Sequence, residues 1–336
     1  MQSENAIMTS RREFLSNALG IALATASTWP LLANQARSMR GQSDSSTSNS
    51  GRTAKKIPLS WDVFLAASMP AITSDLPPGE KERPWPPISS TLISGERDAV
   101  LVDTPITVEH AQALANWIAA RGKNLTTIYA THGHGDHFFG TSTVLERFPD
   151  ARFVARPDVI QVMRQQASSE SLATFWNPRF PGQISSDLAI AEELTGNVIH
   201  LEGHDLVSVP LGSTDTAGTT CLHVPSIGLI VAGDAAYNGV HLHLLESPDQ
   251  QKRQEWIAAL DKMESLKPRA VIAGHKRVGN EDSPSILGET RKYIRDFERL
   301  AMQTTTARKL YDQMLKLYPD WGNRGALWTS VRAVKP

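Results

Sequence analysis

The pattern of this chain predicts an α/β fold of four layers, with two sheets face to face and helices outside both. Three observations carry that prediction. The first half alternates strands with amphipathic helices, the mark of a layered α/β domain. The second half opens with four short strands joined by tight turns and then returns to helix, strand and helix. Of 336 residues, about 280 follow an atypical N-terminus, a length that suits one large domain better than two small ones.

The opening residues differ from the rest. The stretch "TSRREFLSNALGIALATASTWPLLANQA" sets Arg11 and Arg12 ahead of Phe14, Leu15 and a run rich in Ala and Leu. That order reads as a twin-arginine export signal over residues 1–36. Its apolar run is broken by Thr, Ser and Pro30, whereas a spanning helix needs roughly 20 strongly apolar residues. Residues 37–56 include "GQSDSSTSNSGRTAKK", polar and low in complexity, and are expected to form a disordered linker. The expected product is a periplasmic or secreted domain over 57–336. It would be delivered by the twin-arginine export machinery and keep no stable membrane span after processing.

Within that domain, "STLISG" and "DAVLVDT" flank the turn "ERD" and predict a hairpin. "TVEHAQALANWIAARG" has apolar residues at helical spacing and stops at Gly122. "LTTIYATH" predicts a buried strand, "HFFGTSTVLERFPD" a helix, "ARFVAR" a strand and "PDVIQVMRQQ" a helix with proline in its first turn. The stretch "ASSESLATFWNPRFPGQISSDLAIAEE" is irregular. Beyond it, "NVIHLEG", "DLVSVPLG", "TTCLHVPS" and "GLIVAGD" predict four strands. "DQQKRQEWIAALDKMESL" predicts a helix, "RAVIAGH" a strand, and a long helical region runs from about Ile286 to Leu317, opening a helical C-terminal tail.

Charge excludes one class of partner. Lys and Arg total 34 against 35 Asp and Glu, formally −1, with no basic stripe, so nucleic acid is not expected. The single cysteine, Cys221, lies in the predicted buried strand "TTCLHV" and reads as a structural thiol.

The chemistry concentrates in "THGHGDHFFG", residues 131–140. His132 and His134 are two apart at a strand end and face the same way. Asp136 and His137 follow the glycines Gly133 and Gly135. The four divide into two pairs aimed at two adjacent metal positions, because a metal ion needs several rigid donors at about 2 Å.

"HGHGDH" resembles the HxHxDH signature of the metallo-beta-lactamase superfamily, and later segments resemble its later motifs from about Ser89 to His275. The resemblance implies an αββα sandwich with a hydrolytic metal site on one edge. "LIVAGD" ends in Asp234, matching the carboxylate that bridges two metals, and "AVIAGH" ends in His275, matching the final histidine. "AVLVDT" sets Asp103 where the family has a carboxylate beside the ligands. The implied ligand set is His132, His134, Asp136, His137, Asp234 and His275, with Asp136 also catalytic. Histidine at 134, where a diiron branch usually has glutamate, favours Zn2+, one or two per chain.

The sequence departs from the family in one place. "VPLGSTDTAGTT" puts Ser213 where a third histidine for the first metal is usual. Three readings follow: a weakened first site completed by Asp234, water and Asp215; a mononuclear enzyme using only the second site; or impaired catalysis. His204 and His223 read as a turn and a strand residue rather than substitutes.

The implied activity is a zinc-dependent hydrolase that uses metal-bound hydroxide on a small-molecule electrophile such as an ester, lactone or thioester. Tyr237, Asn238, His241 and His243 follow Asp234 and are expected near the metals, the first three as substrate contacts. Phe175, Trp176 and Phe180 predict an apolar lid over the substrate, or else plain core. Stretches such as "AGDAAYNGVH" also resemble a bacterial subgroup with a hydrolytic dehalogenase of the chlorothalonil type, an alternative substrate class. A non-catalytic periplasmic metal-binding protein is the other alternative. The sequence allows a homodimer.

Overall fold

A computed structural model describes residues 57–336 and the backbone of 8–11. The rest of the expected export signal and the expected linker lie outside the described residues. Met8–Arg11 form strand β1, antiparallel to β2 (Ser60–Ala66) with Met8 opposite Leu65.

The elements follow the predicted order. A small hairpin, β3 (Met69–Ala71) and β4 (Arg83–Trp85), precedes β5 (Ile88–Ser94) and β6 (Asp98–Val102). Then come α1 (Val108–Ala119), β7 (Asn124–Tyr129), α2 (Thr141–Arg147), β8 (Arg152–Ala155) and α3 (Pro157–Gln166). Thr107 caps α1 by accepting from His110 N at 3.2 Å, and Gly122 ends it at φ 63°. The stretch predicted as irregular is partly helical: α4 (Ser169–Ser171), a π-helical turn Leu172–Trp176 and α5 (Asn177–Arg179).

In the second half, β9 (Glu192–Glu193) is followed by the four expected strands, β10 (Val198–Leu201), β11 (His204–Gly212), β12 (Thr219–Val224) and β13 (Leu229–Asn238). Then α6 (Gln250–Ser265) leads to β14 (Ala270–Lys276). The single long helical region divides into α7 (Ser285–Gln303) and α8 (Ala307–Leu317), and α9 (Arg324–Val334) closes the tail. The break falls at Thr304, which adopts extended backbone, while Thr306 caps α8 by accepting from Lys309 N.

The strands join in the order β10-β11-β12-β13-β14-β5-β6-β7-β8-β9, with β2 also on β5. The two halves meet at one residue pair, His275 opposite Ile88, so one sheet curls over on itself. Three apolar clusters mark the layers. Val63, Val100 and Tyr129 meet Leu206, Leu222 and Ile272 between the two halves. Leu114, Ile118, Phe139 and Ile160 pack helices α1 to α3 on one outer face, and Trp256, Leu260, Phe297 and Leu310 pack α6 to α8 on the other. Tyr129 pins the inner layer, its hydroxyl 2.6 Å from both Ser208 Oγ and Thr220 Oγ1. Among the described residues no helix is long and apolar enough to cross a membrane.

This topology positions the chemistry. β6 with β7 and β13 with β14 are parallel pairs, so the C-terminal ends of each pair arrive at the same edge, which is where the chain's histidines and aspartates were expected.

Candidate metal centre

His132 lies three residues past the end of β7, and His134 caps the 3-10 turn Gly135–His137. The glycines between them serve close approach rather than unusual backbone. A Cβ on Gly133 would meet Val162 Cβ at 2.5 Å and Val159 O at 2.8 Å, so only glycine lets α3 pack against the loop. Asp234 is aimed by a bulge. Gly233 pairs with Ala273 but Tyr237 pairs with His275, so β13 spends four positions where β14 spends two, and such bulges re-aim side chains. Gly233 sits at φ +53°, and a Cβ there would lie 2.2 Å from Thr131 Oγ1.

Asp136, His137 and His275 converge, and Asp234 offers one oxygen to each of the two histidines. His137 Nε2 lies 3.3 Å from Asp234 Oδ1, 3.5 Å from His275 Nε2 and 3.8 Å from Asp136 Oδ2. His275 Nε2 lies 3.3 Å from both Asp136 Oδ2 and Asp234 Oδ2. A tetrahedral ion bonded at ~2.0–2.1 Å separates its donors by about 3.3–3.4 Å, so these spacings suit one ion. Beside them a second group forms. Asp215 Oδ2 lies 3.0 Å from His134 Nδ1 and 3.7 Å from His132 Nε2. Asp215, two residues beyond Ser213, completes this group, and its other oxygen accepts from Thr214 Oγ1 at 2.9 Å.

Both groups have the chemistry of cation sites. His132 Nε2, Asp215 Oδ2 and Asp234 Oδ1 are buried and face only each other's imidazoles and carboxylates, without a well-aligned hydrogen bond, a costly state unless something else satisfies them. The rings are also held from behind, which fixes which nitrogen faces inward. His275 Nδ1 donates to Pro87 O at 2.9 Å, and His134 Nε2 pairs with Glu246 Oε1 at 2.9 Å. His132 Nδ1 pairs with Thr131 Oγ1 at 3.0 Å, and Thr131 Oγ1 donates to Asp103 Oδ2 at 2.8 Å. Asp103 also accepts from Thr131 N at 2.8 Å and lies 3.4 Å from His137 Nδ1. It adopts φ 59°, a conformation that costs backbone energy and occurs at functional sites. The donor set therefore fits two adjacent divalent ions.

Protonation follows from the same crowding. Burial opposes charge on His275, but Asp234 and Asp136 outweigh it and lift its pKa to about 10. His137 is raised well above 6.5 against burial by Asp234 and Asp136, and His134 against burial by its bonds to Asp215 and Glu246. Asp136 and Asp234 are buried yet fall below the usual carboxylate range because these imidazoles face them. Burial and the neighbouring His137 keep His132 neutral, its lone pair available. Without a metal, protons hold the carboxylates together; an ion takes their place.

A cavity of about 770 Å³ opens over the centre, with His134, Asp136, Asp234 and His275 in its floor. Of the expected substrate contacts, Tyr237 and Trp176 line it. Tyr237 is buried and its hydroxyl donates to Asp234 Oδ2 at 2.8 Å. Asn238 and His241 are corrected. Asn238 bonds Glu281 O at 2.9 Å and Asn280 at 2.7 Å, and His241 is buried with Nδ1 2.9 Å from Tyr293 Oη. After Asp234 the chain dives under the C-terminal helices before His243 returns to the cavity, its ring 5.8 Å from that of His134. His204 bonds Ile57 O at 2.9 Å and is structural.

Two residues were missed by sequence reasoning. Trp85 donates its indole N–H to Asp136 Oδ2 at 3.0 Å, and Glu246 backs His134 while accepting from Thr216 Oγ1 at 2.8 Å. Neither belongs to a spacing motif. Trp85 packs against Phe175, Trp176 and Phe180 at centroid distances of 6.5, 5.6 and 5.4 Å; Phe175 and Trp176 line the cavity with it, and Phe180 is core behind them. Arg83, Arg164 and Arg179 also line the cavity.

Comparison with known proteins gives four findings. A profile of the metallo-beta-lactamase superfamily matches residues 83–275. A 58-residue stretch is 38% identical to a hydroxyacylglutathione hydrolase of Parasynechococcus marenigrum (strain WH8102), covering 17% of this chain and only 22% of that relative's length. The fold is similar to a metallo-beta-lactamase family protein from Thermus thermophilus (TM-score 0.55, 19% identity, 81% of this chain and 91% of that one). A metallo-beta-lactamase from Pontibacter korlensis is also similar (TM-score 0.49, 15% identity, 72% and 97%).

Proposed function

The chain belongs to the metallo-beta-lactamase superfamily, and from that premise we propose that it is a metal-dependent hydrolase of small molecules. The carrying observation is the convergence of Asp136, His137, Asp234 and His275 at donor spacings of 3.3–3.8 Å beneath an open cavity. Those four would hold one ion, and His132, His134 and Asp215 a second, with Asp234 at the junction. Mixed imidazole and carboxylate donors favour Zn2+. Bound there, the ion supplies Lewis-acid charge that lowers the pKa of water from ~15.7 to ~7.

The protein's own groups do the rest. Asp136 orients the nucleophile from the cavity floor. Tyr237, whose pKa burial and Asp234 raise well above 10, keeps its proton and fixes the Asp234 carboxylate. His243, held neutral by burial and the neighbouring His134, presents an imidazole to the reacting group. The aromatic wall takes the apolar or aryl part of an ester, lactone or thioester, and the arginines beside it accommodate one carboxylate. We also propose that residues 57–336 act as one exported domain, sent through the twin-arginine route.

The test is a panel of aryl esters, lactones and thioesters with His137→Ala and His275→Ala. Each variant should lose turnover and bound metal together. Wild-type turnover in either variant defeats the proposal.

A further inference from the structure

The segment "PWPP", Pro84 to Pro87, touches the second-metal group twice from outside it. Trp85 Nε1–H donates to Asp136 Oδ2 at 3.0 Å, and Pro87 O accepts from His275 Nδ1 at 2.9 Å. Two of the four converging donors are thus oriented by one stretch of four residues. Three of those four are proline, whose φ is locked near −65°, so the stretch is stiff. It is anchored at both ends. Ser68 Oγ donates to Trp85 O at 2.7 Å within the β3–β4 hairpin, and Ile88 pairs with His275 itself.

We propose that Pro84–Pro87 is a rigid brace for the second-metal site and that Trp85 is its positioning residue. Trp85 is partly buried, and its indole N–H is directed at this carboxylate. The oxygen it takes also faces His275 Nε2 at 3.3 Å. A carboxylate oxygen has two lone pairs: the indole occupies one direction and leaves the other for the ion, which sets the Asp136 rotamer. The same ring rests on Trp176 in the cavity wall and on Phe180 buried behind it. One side chain therefore sets the metal ligand and shapes the substrate wall. The inference rests on the metal-dependent hydrolase reading above.

Trp85→Phe keeps a ring in the wall but removes the N–H. Zinc affinity for the second site, read by competition with a chromogenic chelator, should fall 10–100-fold, the range for partners that orient metal ligands. At saturating zinc kcat should fall while KM holds. Trp85→His, which retains a ring N–H, should recover most of the affinity and also covers the case in which the phenylalanine variant fails to fold. Trp85→Leu should raise KM as well. In an Asp136→Asn background Trp85→Phe should have little further effect on zinc affinity. Wild-type zinc affinity and kcat in a folded Trp85→Phe overturn the brace; equal losses in the histidine and phenylalanine variants do so too. Absence of zinc binding by the wild-type protein refutes the underlying hydrolase reading instead.

Discussion

Replacing Gly274 by alanine separates the metal centre from the fold. Gly274 lies in β14 between Ala273 and His275 with ordinary strand backbone, so alanine carries no conformational penalty and gains about 0.5–1 kcal/mol over glycine in a strand. Its Cβ, however, would stand 2.1 Å from Asp234 Oδ1 and 2.9 Å from both Gly233 C and His137 Cε1. Ordinary contact begins near 3.4 Å, so Asp234 must retreat by about 1 Å, whereas donor distances tolerate only about ±0.2 Å. Overpacking of this kind costs about 1–3 kcal/mol, partly offset by the backbone gain. The expected outcome is a folded protein whose zinc content and turnover collapse. The assays are thermal melting without metal, elemental analysis after dialysis, and hydrolysis of the ester and thioester panel. A Gly274→Ala protein with wild-type zinc and turnover would refute the placement of Asp234 in the centre.

Asp215→Ala should reduce bound zinc from two equivalents to one by elemental analysis; retention of two would reject Asp215 as the substitute for the histidine absent at Ser213. Arg179→Gln should raise KM about tenfold (about 1.4 kcal/mol) for substrates carrying a carboxylate and leave neutral esters unchanged, because Arg179 lines the cavity beside Phe175; equal effects on both would remove its role. In metal-free protein His275 titrates near 10 against a reference of 6.5. A raised folded-state pKa stabilises fully below 6.5 and is lost as pH rises through 10, so melting temperature should fall across that window by the equivalent of a few kcal/mol. Chelator-stripped protein with a flat or rising melting temperature between pH 6.5 and 10 would contradict the packing of His275 against Asp136 and Asp234.

What the sequence determined by itself was local. Strand periodicity placed β5, β7, β13 and β14, and the crowded "HGHGDH" announced a cation site because such ligands rarely cluster by accident over six residues. The readings of "LIVAGD" and "AVIAGH" rested on resemblance, and the parallel pairing of β13 with β14 is what brings Asp234 and His275 within 3.3 Å.

Only the tertiary structure decided the rest. Asp215 reaches His134 from two residues beyond Ser213, Trp85 reaches Asp136 across 51 residues, and Glu246 reaches His134 across 112. Asn238, at the end of β13, binds the loop before α7, and His241, just beyond it, binds Tyr293 of α7. Periodicity reports which way a side chain faces along its own element. It carries no information on which distant loop meets that face, and the contacts that complete this centre come from strand pairing and sheet curvature, which fix separations of a few ångströms between residues far apart in the chain.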